Sequence, residues 1–259
     1  MILSMAIGLF ALGGVVSNSD PSSLLAARTG ATSAFDVVRR LEAKDKEHPG
    51  ELEIVESLLR ARKFLADGLP DDDARAGALH ARNVRDGLAV LSTLSNRDFN
   101  DFGELLDGWS HVPPSAVGVL YWTTLSYGRT IPERFFLARP AAVGRFRTAL
   151  ERLVELDAAY FHAGPLRVLA SLEARAPAFM GGDRDAAVRH GLEAVRRAPD
   201  FAPNRVALAR AALERGVARG RVIGLLEGAL ERGRSLPDVD QPEHQRGRNA
   251  SRRMLEQLR

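Results

Sequence analysis

Residues able to do chemistry are few in this chain and widely spread. The six histidines, His48, His80, His111, His162, His190 and His244, contain no i, i+4 pair and no His-Glu-x-x-His, so the helix-borne ligand pair that zinc chemistry uses is missing. There is no cysteine, which removes disulfides, thiolate ligands and thiol nucleophiles together. No Gly-x-Ser-x-Gly elbow presents a serine, and nothing singles out one carboxylate pair for glycoside chemistry among 33 acids. The sequence therefore predicts no catalytic residue, no metal and no cofactor.

Two clusters remain. The first is Gly181-Gly182-Asp183. A phosphate loop needs a lysine after its glycines and a strand before them, and a calcium loop needs a run of alternating acids closed by a glutamate; this segment has neither pattern. Glycines that tolerate positive φ, followed by an aspartate able to cap a helix, predict a bend between helices. The second cluster is "GVLYWTTLSYGRTIP" (118–132), the densest aromatic run. Tyr121, Trp122 and Tyr127 fall on one predicted helix. Adjacent residues point about 100° apart on a helix, so Tyr121 and Trp122 cannot share one core stripe, and one of them is expected to line a groove. An apolar body with a polar tip suits such a surface, which makes these three the candidate ligand-groove residues.

The elements that must carry these residues are helices. Hydrophobic residues make up 45% of the 259, charged residues 27% and aromatics 6%, and the prevalence of alanine, leucine and arginine favours helix. Glycine and proline sit between periodic segments. "HPGELEIVESLLRARKFLADGLP" predicts a helix from Glu51 to Asp67, Asp71–Asp73 cap the next, "RDFNDFGELLDGW" gives a short helix, and tandem prolines open the aromatic one. Further helices of similar length follow, and no strand alternation appears. Residues 21–233 read as one helical-repeat domain and 234–259 as a polar tail with a short final helix at "ASRRMLEQL". The net charge of +3, with basic residues interleaved by acids, carries no nucleic-acid footprint.

Residues 1–20 open with "MILSMAIGLFALGGVV", uncharged and shorter than the roughly 20 residues of a membrane span. The expectation is a signal-like or anchoring segment.

An internal repeat emerges when residues 146–174 are laid on 187–215. Tyr160 then meets Phe201, Ala170 meets Ala211, Leu172 meets Leu213 and Glu173 meets Glu214. Each unit is a helix, an aromatic-bearing bend and a second helix, as in stacked helical pairs. The second unit places Ala187, Gly191, Ala194 and Pro199 at the small-residue and proline positions of a tetratricopeptide-type helix. Small residues on one face let a neighbour approach, and Pro199 ends the helix.

"ESLL" (56–59), "LYW" (120–122) and the segment 153–210, with Pro177-x3-Gly-Gly-Asp at its centre, occur in an order that resembles the T component of tripartite ATP-independent periplasmic (TRAP) transporters. The resemblance covers roughly residues 50–232. It implies an all-α fold of stacked antiparallel helical pairs, degenerate tetratricopeptide-like repeats, and a non-enzymatic role. It also implies a periplasmic location, a homotrimer, association with the solute-binding P component, and a small hydrophobic or organic-acid ligand. Lipid-anchored members carry a cysteine about where Gly14 stands, and this sequence has none, so the expectation is a protein free in the periplasm or held by its N-terminal segment. Two other readings stay open on the residues alone: a cytoplasmic helical-repeat adaptor whose arginines clamp a partner's peptide, and a helical enzyme with a dispersed site of shifted pKa values.

Overall fold

The computed structural model describes residues 20–70, 72–131, 139–233 and 235–259. The apolar segment 1–20 lies outside them, apart from Asp20. Within them the protein is all-α, with no strand, and its helices are α1 (Pro21–Ala26), α2 (Ala31–Glu47), α3 (Leu52–Ala66), α4 (Ala74–Ser95), α5 (Phe102–Asp107), α6 (Val117–Thr130), α7 (Pro140–Asp157), α8 (Tyr160–Arg175), α9 (Arg184–Arg197), α10 (Ala202–Glu214), α11 (Arg219–Glu231) and α12 (Gln241–Leu258). No helix among the described residues is long and apolar enough to cross a membrane.

Local chemistry sets the boundaries. Glu51 and Asp67 are the caps flanking α3. Asp73 caps α4 by accepting from the Arg75 amide, and Asp101 caps α5 through the Gly103 and Glu104 amides, each satisfying donors that a helix start leaves free. Asn96, with φ 52°, ends α4 in the left-handed conformation that asparagine tolerates. The prolines before α6 form one turn of 3-10 helix, Pro114–Ala116, which runs into it.

Consecutive helices pack on one another, and α8 also touches α10 while α10 touches α12. Contact with the next helix and the next but one is what stacked helical pairs require. The pair α7–α8 stacks against α9–α10, and these pairs coincide with the two sequence repeats. On α9, Ala187, Gly191 and Ala194 are all buried. A Cβ added at Gly191 would lie 3.1 Å from the Leu208 Cα, so α10 approaches the α9 backbone closely at this point.

At the other end of the protein, α6 is buried on every side, from Gly118 to Ser126, among α3, α4, α7 and α8. Tyr121 and Trp122 do point in different directions, yet both are buried, because neighbours surround the helix. The final helix is longer than "ASRRMLEQL" suggested: it starts at Gln241, spans 18 residues and packs on α10 and α11. Its buried face includes Pro242, His244, Gly247, Ser251 and Leu255. Its low apolar content hid it, because half of its contact with the body is ionic.

Candidate functional site

A cavity of about 390 Å³ opens between α3, α6, α8, α10 and α12, within the roughly 300–1,000 Å³ of small-molecule sites. Its aromatic wall begins on α6 with Tyr121 and Trp122, whose rings meet edge to face at 4.8 Å. Phe161 adds a ring 4.7 Å from Trp122 and 5.6 Å from Phe201, which precedes α10. Such edge-on arrangements suit the quadrupoles of the rings.

Phe161 reaches this position through an unusual turn. Phe161, His162 and Ala163 all have left-handed backbones, with φ of 45°, 56° and 58°. Left-handed helix costs L-residues roughly 1–2 kcal/mol each, so the surroundings must hold it. They do so at His162. Its carbonyl accepts from Asn204 Nδ2 at 3.0 Å and Arg167 Nη1 at 3.3 Å, and its ring stacks on Phe201 at 4.4 Å. Its Nε2 pairs with Asp240 Oδ2 at 2.8 Å.

Beside the rings lies a buried ionic clasp. Glu243, on the first turn of α12, accepts from Arg28 Nη1 at 2.8 Å and from Arg60 Nε at 2.9 Å. Arg60 also donates to Asp240 at 2.8 Å, and its guanidinium lies 4.6 Å from the centre of the Phe161 ring. Burial alone would raise the Glu243 carboxyl, but Arg60 and Arg28 outweigh it and the pKa is lowered. Asp240 follows the same pattern, with burial opposed by His162 and Arg60 and a net lowering. Burial pulls both guanidiniums down; at Arg28 it wins and the pKa falls to about 10, while at Arg60 the two carboxylates win and the pKa rises.

Arg167 on α8 has different company. Nη1 donates to Asn204 Oδ1 at 2.8 Å and Nη2 to the Tyr121 hydroxyl at 3.1 Å, and the guanidinium sits 5.7 Å and 5.1 Å from the Phe161 and Phe201 centroids. Asn204 is fully buried and is itself fixed by Nδ2 bonds to the His162 and Ala194 carbonyls at 3.0 Å each. Buried Tyr121 has its pKa raised by desolvation, partly offset by Arg167, so its hydroxyl stays protonated.

Of the three aromatic candidates, the structure brings two to the cavity. Tyr121 and Trp122 line it, whereas Tyr127 stacks on Phe102 at 3.9 Å on another face of α6. Gly181, Gly182 and Asp183 form the connection between α8 and α9, away from the lining. Gly181 takes φ 81°, and a Cβ at Gly182 would fall 1.7 Å from the Ala176 carbonyl oxygen. Asp183 accepts from the Asp185 and Ala186 amides at 2.9 Å each. Pro199 lies in the turn after α9. Among the described residues no cluster of histidines and acids could hold a metal.

Sequence reasoning missed Phe161, Phe201, Arg60, Arg167 and Glu243 as site residues. Phe201 was visible as the bend aromatic of the repeat, and the same bend in the first repeat carries Phe161 beside Tyr160. Glu243 gave no signal, because its partners lie 183 and 215 residues away.

No curated protein matches the chain. A family model described as TRAP transporter T-component matches residues 57–219, a span that runs from α3 to the start of α11 and takes in every aromatic of the cavity wall. The chain is accordingly a member of the TRAP transporter T-component family, a transport accessory family.

Proposed function

We propose that the protein is a non-enzymatic tetratricopeptide-like scaffold that works at the periplasmic face of the inner membrane. There it binds the solute-binding P component of a TRAP transporter and holds a small organic or hydrophobic ligand on its way to uptake. Family membership supports the transport role. The ligand role is carried by one observation: the cavity walled by Tyr121, Trp122, Phe161 and Phe201 sits where the two halves of the fold meet. Apolar concavities with a few fixed polar groups are the usual form of a small-molecule site. A homotrimer fits the family pattern and belongs to the same reading.

Mixing the purified protein with the P component encoded beside its gene, followed by size-exclusion chromatography with light scattering, tests the partner and the trimer together. A joint peak is expected, and two separate peaks at micromolar concentration would remove the partner. Cell fractionation tests the location. Recovery in the cytoplasm would favour a peptide-binding adaptor of the same fold.

A further inference from the structure

The cations of the cavity fall into two groups. Arg60 is neutralised by Glu243 and Asp240, and Lys63 pairs with Asp67. Arg167 and Arg210 line the same cavity, and among the described residues neither has a carboxylate within ion-pair distance. The charged neighbours of Arg210 include Arg175 and Arg253, which repel it, and its side chain is exposed. The cavity thus combines aromatic walls with positive charge that the protein leaves unbalanced.

Arg167 is also held in place. The bonds to Asn204, the His162 carbonyl and Tyr121 use both Nη1 hydrogens and one on Nη2. A guanidinium has five N–H donors, so Nε–H and one Nη2–H remain without a protein acceptor. These are donors on a planar group whose orientation is already fixed, which lowers the ordering cost of binding. A carboxylate is the anion whose two oxygens match such a fork. The aromatic walls accept an apolar body and offer a second charge no solvation, so a dianion such as phosphate is disfavoured.

We propose that the site takes a monocarboxylate with an apolar body, its carboxylate held by Arg167 and drawn in by Arg210, and its body laid against Trp122, Phe161 and Phe201. This rests on the reading of the cavity as a ligand site, and the test separates the two.

Isothermal titration calorimetry would compare octanoate with 1-octanol, which has the same chain length and no charge. Octanoate is expected to bind about 10- to 100-fold more tightly, as one charge-assisted hydrogen-bonded pair provides. In Arg167→Met that preference should vanish while 1-octanol binding persists. Arg167 also braces Asn204, so Arg210→Gln, an exposed position without a hydrogen-bonded partner, supplies a second variant. It should weaken octanoate several-fold and leave 1-octanol unchanged. Equal affinity of the wild-type protein for the two probes would overturn the carboxylate assignment and leave the apolar ligand site standing. Displacement of octanoate by equimolar inorganic phosphate would also overturn it. Binding of neither probe would overturn both.

Discussion

The two halves of this protein reach a packed interior by opposite means. From α3 to α7 the core is built of long side chains: Leu59, Leu91, Leu105, Leu120, Leu150 and Leu153 are all almost fully buried around α6. From α8 to α10 it is built of short ones, with Ala170, Ala187, Gly191, Ala194, Ala209 and Ala211 letting the backbones draw together. The first half buries area per side chain and the second buries helix against helix. The contrast shows why only the second half shows a repeat in its sequence: close backbone approach forbids most residue types at fixed positions, whereas a leucine core accepts many rearrangements of the same volume.

Substitutions can break or sharpen that contrast. The largest effect belongs to the clasp joining the halves. Glu243→Gln leaves the Arg28 and Arg60 guanidiniums buried without their shared carboxylate, and removal of one partner from a buried pair costs about 3–5 kcal/mol. Urea unfolding should show that loss of stability together with a weakened cavity. Next, Leu150→Ala in the long-chain half should cost about 2–5 kcal/mol through lost burial and the void it leaves. Gly191→Leu in the short-chain half adds volume, and overpacking there should cost about 1–3 kcal/mol. If instead lengthening were tolerated at Gly191 and shortening at Leu150, the two halves would not differ in the way described.

Acid offers a subtler test. Glu243 and Asp240 titrate below their ordinary values when folded. Their contribution to stability is therefore complete above the unfolded pKa values, about 4, and is lost as pH falls through the folded values. Melting temperature followed from pH 7 to pH 3 should stay level and then drop below about pH 4, with a shallower drop in Glu243→Gln. The smallest effect is expected at Arg39→Ala. Its pairing with Asp36 is exposed on both sides, and thermal melts should place the change within about 0.5 kcal/mol.

Much of the fold was legible because helix ends are written locally. Glu51, Asp67, Asp73 and Asp101 stand at or next to the ends that sequence reasoning gave them. The helices before α3 were overlooked, because Ala31–Glu47 carries a narrow apolar stripe among many charges and no proline or glycine pattern marks it as a repeat. The cavity was half legible. Tyr121 and Trp122 stood out by type, but Tyr127 on the same helix faces Phe102 instead. No propensity anticipates three left-handed residues at 161–163, since that turn exists only through His162 and its long-range partners. Arg167 and Glu243 were hidden for a related reason: an arginine on a helix reads as solvated until the groups facing it are known.

The Arg28–Glu243 bond closes a loop of 215 residues. Closing a flexible loop costs entropy that grows with the logarithm of its length, about 0.6 kcal/mol for each doubling, and contacts so far apart in sequence form late. During synthesis α12 is made after α1 to α11, and domains gather from the N-terminal side first. The stacked pairs can therefore assemble while the cavity still lacks the wall that Glu243, Arg246 and Gly247 provide. Ligand competence in this protein is then a property of the finished chain, acquired in one step when the last helix docks.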